Sequence, residues 1–184
     1  MPSAIEIPAP SSTTTASFLS GRIPSGRNLS RFELRALAAT VGNEPDLWQA
    51  HVSHDPNQRN YTQLYRDPQL DIWLICWTNQ QDTGFHDHDR SAGAVQIVEG
   101  ELVEDRFEFS GSTLRETSTT HREGATFDFD ASHVHRLRHH LGAVATSIHA
   151  YSPALWRMGY YDPDPAGLLR RTSISYAEEL VPAV

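Results

Sequence analysis

Thr83-Gly84-Phe85-His86-Asp87-His88-Asp89-Arg90-Ser91-Ala92-Gly93-Ala94-Val95-Gln96-Ile97-Val98-Glu99-Gly100 decides how the rest of the chain is read. Two histidines one residue apart diverge on a helix. On a β-strand the side-chain period is two, so His86 and His88 would leave the same face together. With an apolar run behind them, they look like half of a metal site on a sheet wall. The other half requires a histidine far along the chain, and His135 supplies it.

Outward from this stretch, short strands separated by turn residues dominate. Strands are expected at Tyr61 to Tyr65, Leu70 to Trp77, His86 to Glu99, Glu101 to Phe109, Thr113 to Thr119, Thr126 to Phe129, His133 to His139 and Val144 to Tyr151. Asp67-Pro68, Gly100, Ser110-Gly111-Ser112, Glu123-Gly124 and Leu141-Gly142 punctuate them. This spacing predicts an all-β sandwich or barrel. Ser152-Pro153 ends the series, and the remainder reads as a tail packed outside, with a short helix at Tyr176 to Leu180. Upstream, Ser30 and Glu33 form a capping box. Phe32, Leu34, Leu37, Ala38 and Val41 follow with helical spacing, and Gly42 would stop that helix. A second short helix would start near Asp46. Residues 1–28, rich in Pro, Ser, Thr and Ala, read as a mobile extension on which Phe18 and Leu19 could still dock; residues 29–184 read as one domain.

A net charge of −8 over 184 residues argues against nucleic acid and against an anionic membrane surface as partners. No apolar run reaches the ~18 residues of a membrane span. The single cysteine, Cys76, sits in the apolar run Ile72 to Trp77, which fits an inert buried thiol in a reducing, cytoplasmic setting. Ten histidines are the compositional oddity, five of them between His133 and His149. His51 and His54 lack a partner at ligand spacing and read as solvated or locally bonded.

As a pattern, H-x-H is followed by four residues, Gly93, six residues and Gly100; Gly124 is then followed by His135 eleven positions later. These two segments, about 50 residues apart, resemble the two motifs of cupin barrels. Gly93 stands where those motifs place a metal-binding glutamate, and Asp130-Ala131-Ser132 where they place Pro-x-Gly. Without that carboxylate, three neutral imidazoles would surround a divalent metal. The resulting positive charge and open positions favour an anionic ligand such as a thiolate. His133 would share a strand face with His135 and competes for the role; His135 holds the motif position. Further on, Ser147, His149 and Tyr151 alternate on one predicted strand face, opposite Val144, Thr146, Ile148 and Ala150. That row is either a solvated surface or a hydroxyl–imidazole–phenol relay beside the metal.

The segments Tyr61-Thr62, Ile75-Cys76-Trp77, His86-Asp87-His88, Val98-Glu99-Gly100, Val134-His135-Arg136 and Ser147 to Pro153 together resemble the cysteine dioxygenase family, the thiol dioxygenases of the cupin superfamily. The resemblance covers roughly Tyr61 to Tyr161. It implies a cupin-type jelly-roll barrel preceded by a short helical segment. It also implies Fe(2+) on His86, His88 and His135, and a relay of Ser147, His149 and Tyr151. The implied reaction adds both atoms of O2 to the sulfur of a small thiol, first of all L-cysteine. Gly93 stands where mammalian members carry the cysteine that cross-links to the active-site tyrosine, so Tyr151 is expected without that link. Gln63 aligns with the arginine that holds the carboxylate in cysteine-specific members, and glutamine there resembles 3-mercaptopropionate dioxygenases. Ser152-Pro153 resembles the cysteine type. With Gln63 uncharged, Arg157 and Arg66 become candidate carboxylate partners, each of which reads first as a surface or ion-paired arginine. Three alternatives stand beside this reading: surface histidines on an unrelated β-domain, a non-catalytic cupin sensor, and a cupin isomerase or carbon dioxygenase. The Ser-His-Tyr row speaks against the sensor and Gly93 against the last. Oligomeric state is left open.

Overall fold

The computed structural model describes residues 13–110, 113–140, 142–163 and 169–175. Its strands are β1 (Asn60–Arg66), β2 (Asp71–Trp77), β3 (His86–Asp87), β4 (Ala92–Glu99), β5 (Glu101–Ser110), β6 (Thr113–Arg122), β7 (Thr126–Phe129), β8 (His135–Arg138), β9 (Ala145–Ser152), β10 (Arg157–Pro163) and β11 (Leu169–Ser175). They form two antiparallel sheets, ordered β1-β2-β9-β4-β7 and β11-β10-β3-β8-β5-β6. Between them lies a core that includes Trp77, Val95, Ile97, Leu102, Phe127 and Leu137. This is the expected cupin-type jelly roll with a short helical segment at its N-terminal side.

The first sheet is buried on both faces. Every residue of β2 and of β9 is buried. Odd-numbered residues of both strands face the second sheet, and even-numbered Ile72, Leu74, Cys76, Ile148 and Ala150 pack on helix α2 (Arg31–Gly42). Two buried faces explain why Leu70 to Trp77 reads as a continuous apolar run. Cys76 is buried on the helix side, where desolvation raises its thiol pKa.

Helix α2 begins with the expected capping box: Ser30 Oγ accepts from Glu33 N at 3.3 Å, and Ser30 N donates to Glu33 Oε2 at 2.8 Å. Leu34, Leu37, Ala38 and Val41 face inward, whereas Phe32 is 70% exposed and lies off that stripe. Gly42 is the last helical residue rather than the stop. A Cβ there would sit 2.6 Å from Gln96 Cγ, so the glycine admits β4 against the helix. The helix expected near Asp46 is a pair of 3-10 turns, Pro45–Leu47 and Gln49–His51.

Two expectations differ from the structure in ways that bear on the site. The stretch His86 to Glu99 is two strands in different sheets, because the chain turns at His88–Ser91, with Ser91 N bonded to His88 O and Asp89 at φ +53°. The segment after Pro153 is no external tail: β10 pairs with β3, and β11 with β10. Within residues 13–28, α1 (Thr13–Leu19) buries Leu19, the docking that the sequence reading allowed. Residues 1–12 and the helix expected at Tyr176 to Leu180 lie outside the described residues.

Candidate metal centre

His86 on β3 is paired directly with His135 on β8, and His88 follows β3 into the turn. Ring centroids are 4.8 Å apart for His86–His88, 4.8 Å for His86–His135 and 5.2 Å for His88–His135. One nitrogen from each lies within 4.8 Å of the others. The three rings are 3% exposed or less.

Hydrogen bonding fixes which nitrogen is available. His86 Nδ1 lies 3.0 Å from Gly84 O, which can only accept, so Nδ1 carries the proton and Nε2 the lone pair. His135 Nδ1 is held in the same way by Glu104 Oε1 at 2.8 Å. Neither ring nitrogen of buried His88 has a hydrogen-bond partner among the described residues. Two orphaned nitrogens are costly in a dry interior unless an ion takes one. Burial, reinforced by the neighbouring imidazoles, holds His86 and His88 well below the ordinary histidine pKa, and burial also lowers His135. Three neutral, oriented imidazoles suit a divalent transition metal.

Glu104, on β5, is the anchor behind this triad. Its carboxylate contacts His135 at 2.8 Å, His133 at 3.0 Å, His121 at 3.1 Å and Arg106 at 2.7 Å. Burial alone would raise its pKa, but the bonds from the three histidines outweigh it and hold the group ionised. His133, the competing ligand, lies before β8 and spends Nε2 on Glu104. Sequence reading missed Glu104 because its three histidine partners lie 17, 29 and 31 residues away.

Position 93 explains itself sterically. A Cβ on Gly93 would lie 2.3 Å from Phe129 Cζ and 3.1 Å from Tyr151 Cδ1. The Phe129 ring fills that space and stacks on His88 with centroids 4.6 Å apart.

The Ser-His-Tyr row faces the cavity rather than solvent. Ser147 Oγ is 2.8 Å from His149 Nε2, and His149 Nδ1 is 3.2 Å from the Tyr151 hydroxyl. Trp77 Nε1, which the sequence reading used only for its apolar strand and the family resemblance, donates to Ser147 Oγ at 2.9 Å. Trp77 can only donate, which leaves the serine proton for His149 Nε2. In that sense of the chain, His149 Nδ1–H donates to the Tyr151 hydroxyl. Burial first, then the neighbouring His135, depresses His149 to about 3, so its imidazole is neutral at pH 7.

The cavity encloses about 550 Å³, part of it open to solvent. His86, His135, His149 and Tyr151 share it with Tyr61 and Arg59. The candidate carboxylate partners are not brought there, and Arg66 and Arg157 take the ion-paired and exposed roles weighed against them. Gln63 donates to Asp71 Oδ1 at 2.9 Å. Arg66 pairs with Asp71 and donates to Leu155 O, and Arg157 is exposed at the start of β10. None of the three lines the cavity. Arg59 was missed, although it stands two residues before Tyr61, the spacing that puts two side chains on one strand face. His54, read as locally bonded, reaches across the sequence to Ala145 O at 3.1 Å.

A family model described as cysteine dioxygenase type I matches residues 23–164. Curated relatives include cysteine dioxygenase type 1 of Rattus norvegicus, 25% identical over 130 residues, which cover 66% of this chain and 64% of that protein. The counterpart from Danio rerio is 25% identical over 131 residues with the same coverage. The chain thus spans just under two thirds of the length of these relatives. Among solved structures, a cupin superfamily protein of Desulfitobacterium hafniense is 11% identical, with a TM-score of 0.47 over 58% of this chain and 87% of the other. No helix among the described residues is long and apolar enough to cross a membrane. With 142 consecutive residues matched by its model, the chain belongs to the cysteine dioxygenase type I family.

Proposed function

We propose that this chain is an iron(II) thiol dioxygenase, which converts a small thiol and O2 to a sulfinic acid. The balance is RSH + O2 → RSO2H: two S–O bonds form, O–O breaks, and sulfur is oxidised by four electrons. The observation that carries the reading is a three-imidazole cluster, two of whose rings line the cavity, facing the His149 and Tyr151 end of the Ser147–His149–Tyr151 chain across it. Iron(II) on His86, His88 and His135 would supply the one-electron chemistry that brings O2 to the thiolate sulfur.

The protein's own contribution is placement and proton control. Gly84 O and Glu104 keep Nε2 of His86 and His135 turned inward. Tyr151 offers its hydroxyl proton to reacting oxygen, oriented by His149, Ser147 and Trp77. Glycine at position 93 offers no thiol to the adjacent Tyr151, so the phenol acts without a thioether cross-link. Trp73, Ile75, Leu137, Leu155 and Met158 give the chamber an apolar lining around them. L-Cysteine is the first candidate substrate, as for the curated relatives. 3-Mercaptopropionate is the second, because residue 63 is glutamine. The same reading puts the protein in the cytoplasm, where small thiols stay reduced.

The test is oxygen uptake by iron(II)-loaded protein with L-cysteine and 3-mercaptopropionate in parallel, with the product weighed for two added oxygen atoms. Sulfinate formation that His135→Ala abolishes is the expected result. Absence of uptake with both thiols would overturn the reading.

A further inference from the structure

We propose that Phe129 is a positioning residue for the metal centre: its ring holds the plane of the His88 imidazole by stacking, and His133 backs that ring. This rests on the proposed ligand set of His86, His88 and His135, and not on which thiol is oxidised.

His88 is the ligand with no hydrogen bond behind it. Gly84 O fixes His86 and Glu104 fixes His135, each through Nδ1, at 3.0 and 2.8 Å. Neither ring nitrogen of His88 has such a partner among the described residues. The strand does not hold it either, since β3 stops at Asp87. The χ2 torsion of a histidine is broad, so an unsupported ring would turn its lone pair away from the metal. What faces His88 instead is aromatic. Phe129 stacks on it with centroids 4.6 Å and planes 24° apart, and Tyr151 lies at 5.1 Å and 32°. Tyr151 is committed to the relay through His149. Phe129 carries no polar atom and acts on His88 by contact.

To hold another ring, Phe129 must itself be held. It is 2% exposed, and its backbone is paired with Gly93, whose missing Cβ leaves the space the ring occupies. The same ring stacks on His133 with centroids 5.4 Å and planes 14° apart, and meets His135 at 4.8 Å and 61°. His133 Nε2 is tied in turn to Glu104 Oε1 at 3.0 Å, the oxygen that also receives His135. One carboxylate therefore orients two ligands: His135 through a bond, and His88 through the stack of His133 and Phe129. His133, a rival ligand by spacing, has a different task in this arrangement.

The experiment reads the ligands one at a time. Protein carrying isotope-labelled histidine is loaded with zinc(II), a d10 ion without redox chemistry. Ring signals are compared by NMR, and zinc affinity by chelator competition. In Phe129→Leu the His88 signals should broaden from microsecond-to-millisecond motion, while those of His86 and His135 keep their wild-type widths. Zinc affinity should fall about tenfold, the low end for loss of an outer-shell partner. His133→Leu, at a partly exposed position, should act in the same direction more weakly. His133→Phe, which returns a ring without the bond to Glu104, should fall between His133→Leu and wild type. Sharp His88 signals at wild-type affinity in both leucine variants would overturn the assignment. Equal broadening of all three ligands, the mark of a generally loosened sheet, would overturn it too. A wild type that takes up no zinc would remove the metal centre and the stack's role with it. The expected His88 response without oxygen uptake by iron-loaded protein would keep the positioning role and remove the dioxygenase.

Discussion

The two walls of the cavity are held by different physics. The relay wall is β9, hydrogen-bonded along its length between β2 and β4 and buried on both faces. Ser147, His149 and Tyr151 are aimed by strand register. The metal wall is β3, two residues long, and β8, four residues long with only alternate positions buried. Ladders that short aim little by themselves. Carboxylates do the aiming instead: Glu104 behind His135, and Asp87 between the two ligands of the H-x-H stretch. A ladder tolerates the loss of one side chain, whereas a buried ion-pair cluster does not.

Removing Glu104 should therefore have the largest effect. Glu104→Ala leaves three histidines and Arg106 without their common acceptor, and the expected cost is about 3–5 kcal/mol in denaturant unfolding. Metal affinity, read by chelator competition, should fall roughly 10–100-fold, because His135 loses the group that fixes its tautomer. Glu104→Gln, which keeps shape and one acceptor oxygen, should be milder in both readouts. If metal affinity were the same in Glu104→Ala as in wild type, the ionic account of this wall would fail.

The seam between the walls is packed rather than bonded, and its breaking point is Gly93. Gly93→Ala drives Phe129 toward His88 and His135, whose rings it contacts with centroids 4.6 and 4.8 Å away. Overpacking of this kind costs about 1–3 kcal/mol. The double variant Gly93→Ala/Phe129→Leu should be less destabilised than the two single costs added, because the shorter side chain vacates the contested space. Strict additivity would show that the glycine is not there for the ring.

The same contrast accounts for what could be read in advance. Ser147, His149 and Tyr151 were legible because strand register is a local, period-two property. The capping box of Ser30 and Glu33 was legible for the same kind of reason. His86, His88 and His135 could be named from spacing, but the break between β3 and β4 could not. The turn residues Asp89 and Arg90 carry neither glycine nor proline, and the pairing of β3 with β10 and β8 is set by partners about 50 to 70 residues away. Glu104 takes its meaning mainly from histidines 17 to 31 residues away, and partners that distant leave no pattern in its own neighbourhood. Gly42 was misread because a close approach to Gln96 and a helix stop look alike in sequence.

The smallest effect should come from the far side of the metal wall, where β11 reaches across β10 to β3. Arg171 Nε and Nη2 donate to the Asp87 carboxylate at 2.6 and 2.9 Å, and the Tyr161 hydroxyl adds a bond at 2.7 Å. The reach is made possible by Gly159, where a Cβ would lie 2.2 Å from Arg171 Nε. Burial would raise the Asp87 pKa, but the bonds from Arg171 and Tyr161 outweigh it and hold the group at about 2, below its ordinary value of 3.8. A folded-state pKa below the unfolded one means that the unfolded chain binds the proton first. The contribution is complete above pH 3.8 and is lost as pH falls through 2. Because Arg171 is 36% exposed, solvent screens the pair, and Arg171→Met should cost only about 1 kcal/mol at pH 7. The gap from wild type should close in acid unfolding near pH 2. Gly159→Ala should reproduce that profile with Arg171 still present, since the added methyl displaces the guanidinium. A Gly159→Ala deficit that persisted unchanged at pH 2 would trace to β10 packing instead, and would remove the strap from the account of how His86 and His88 are aimed.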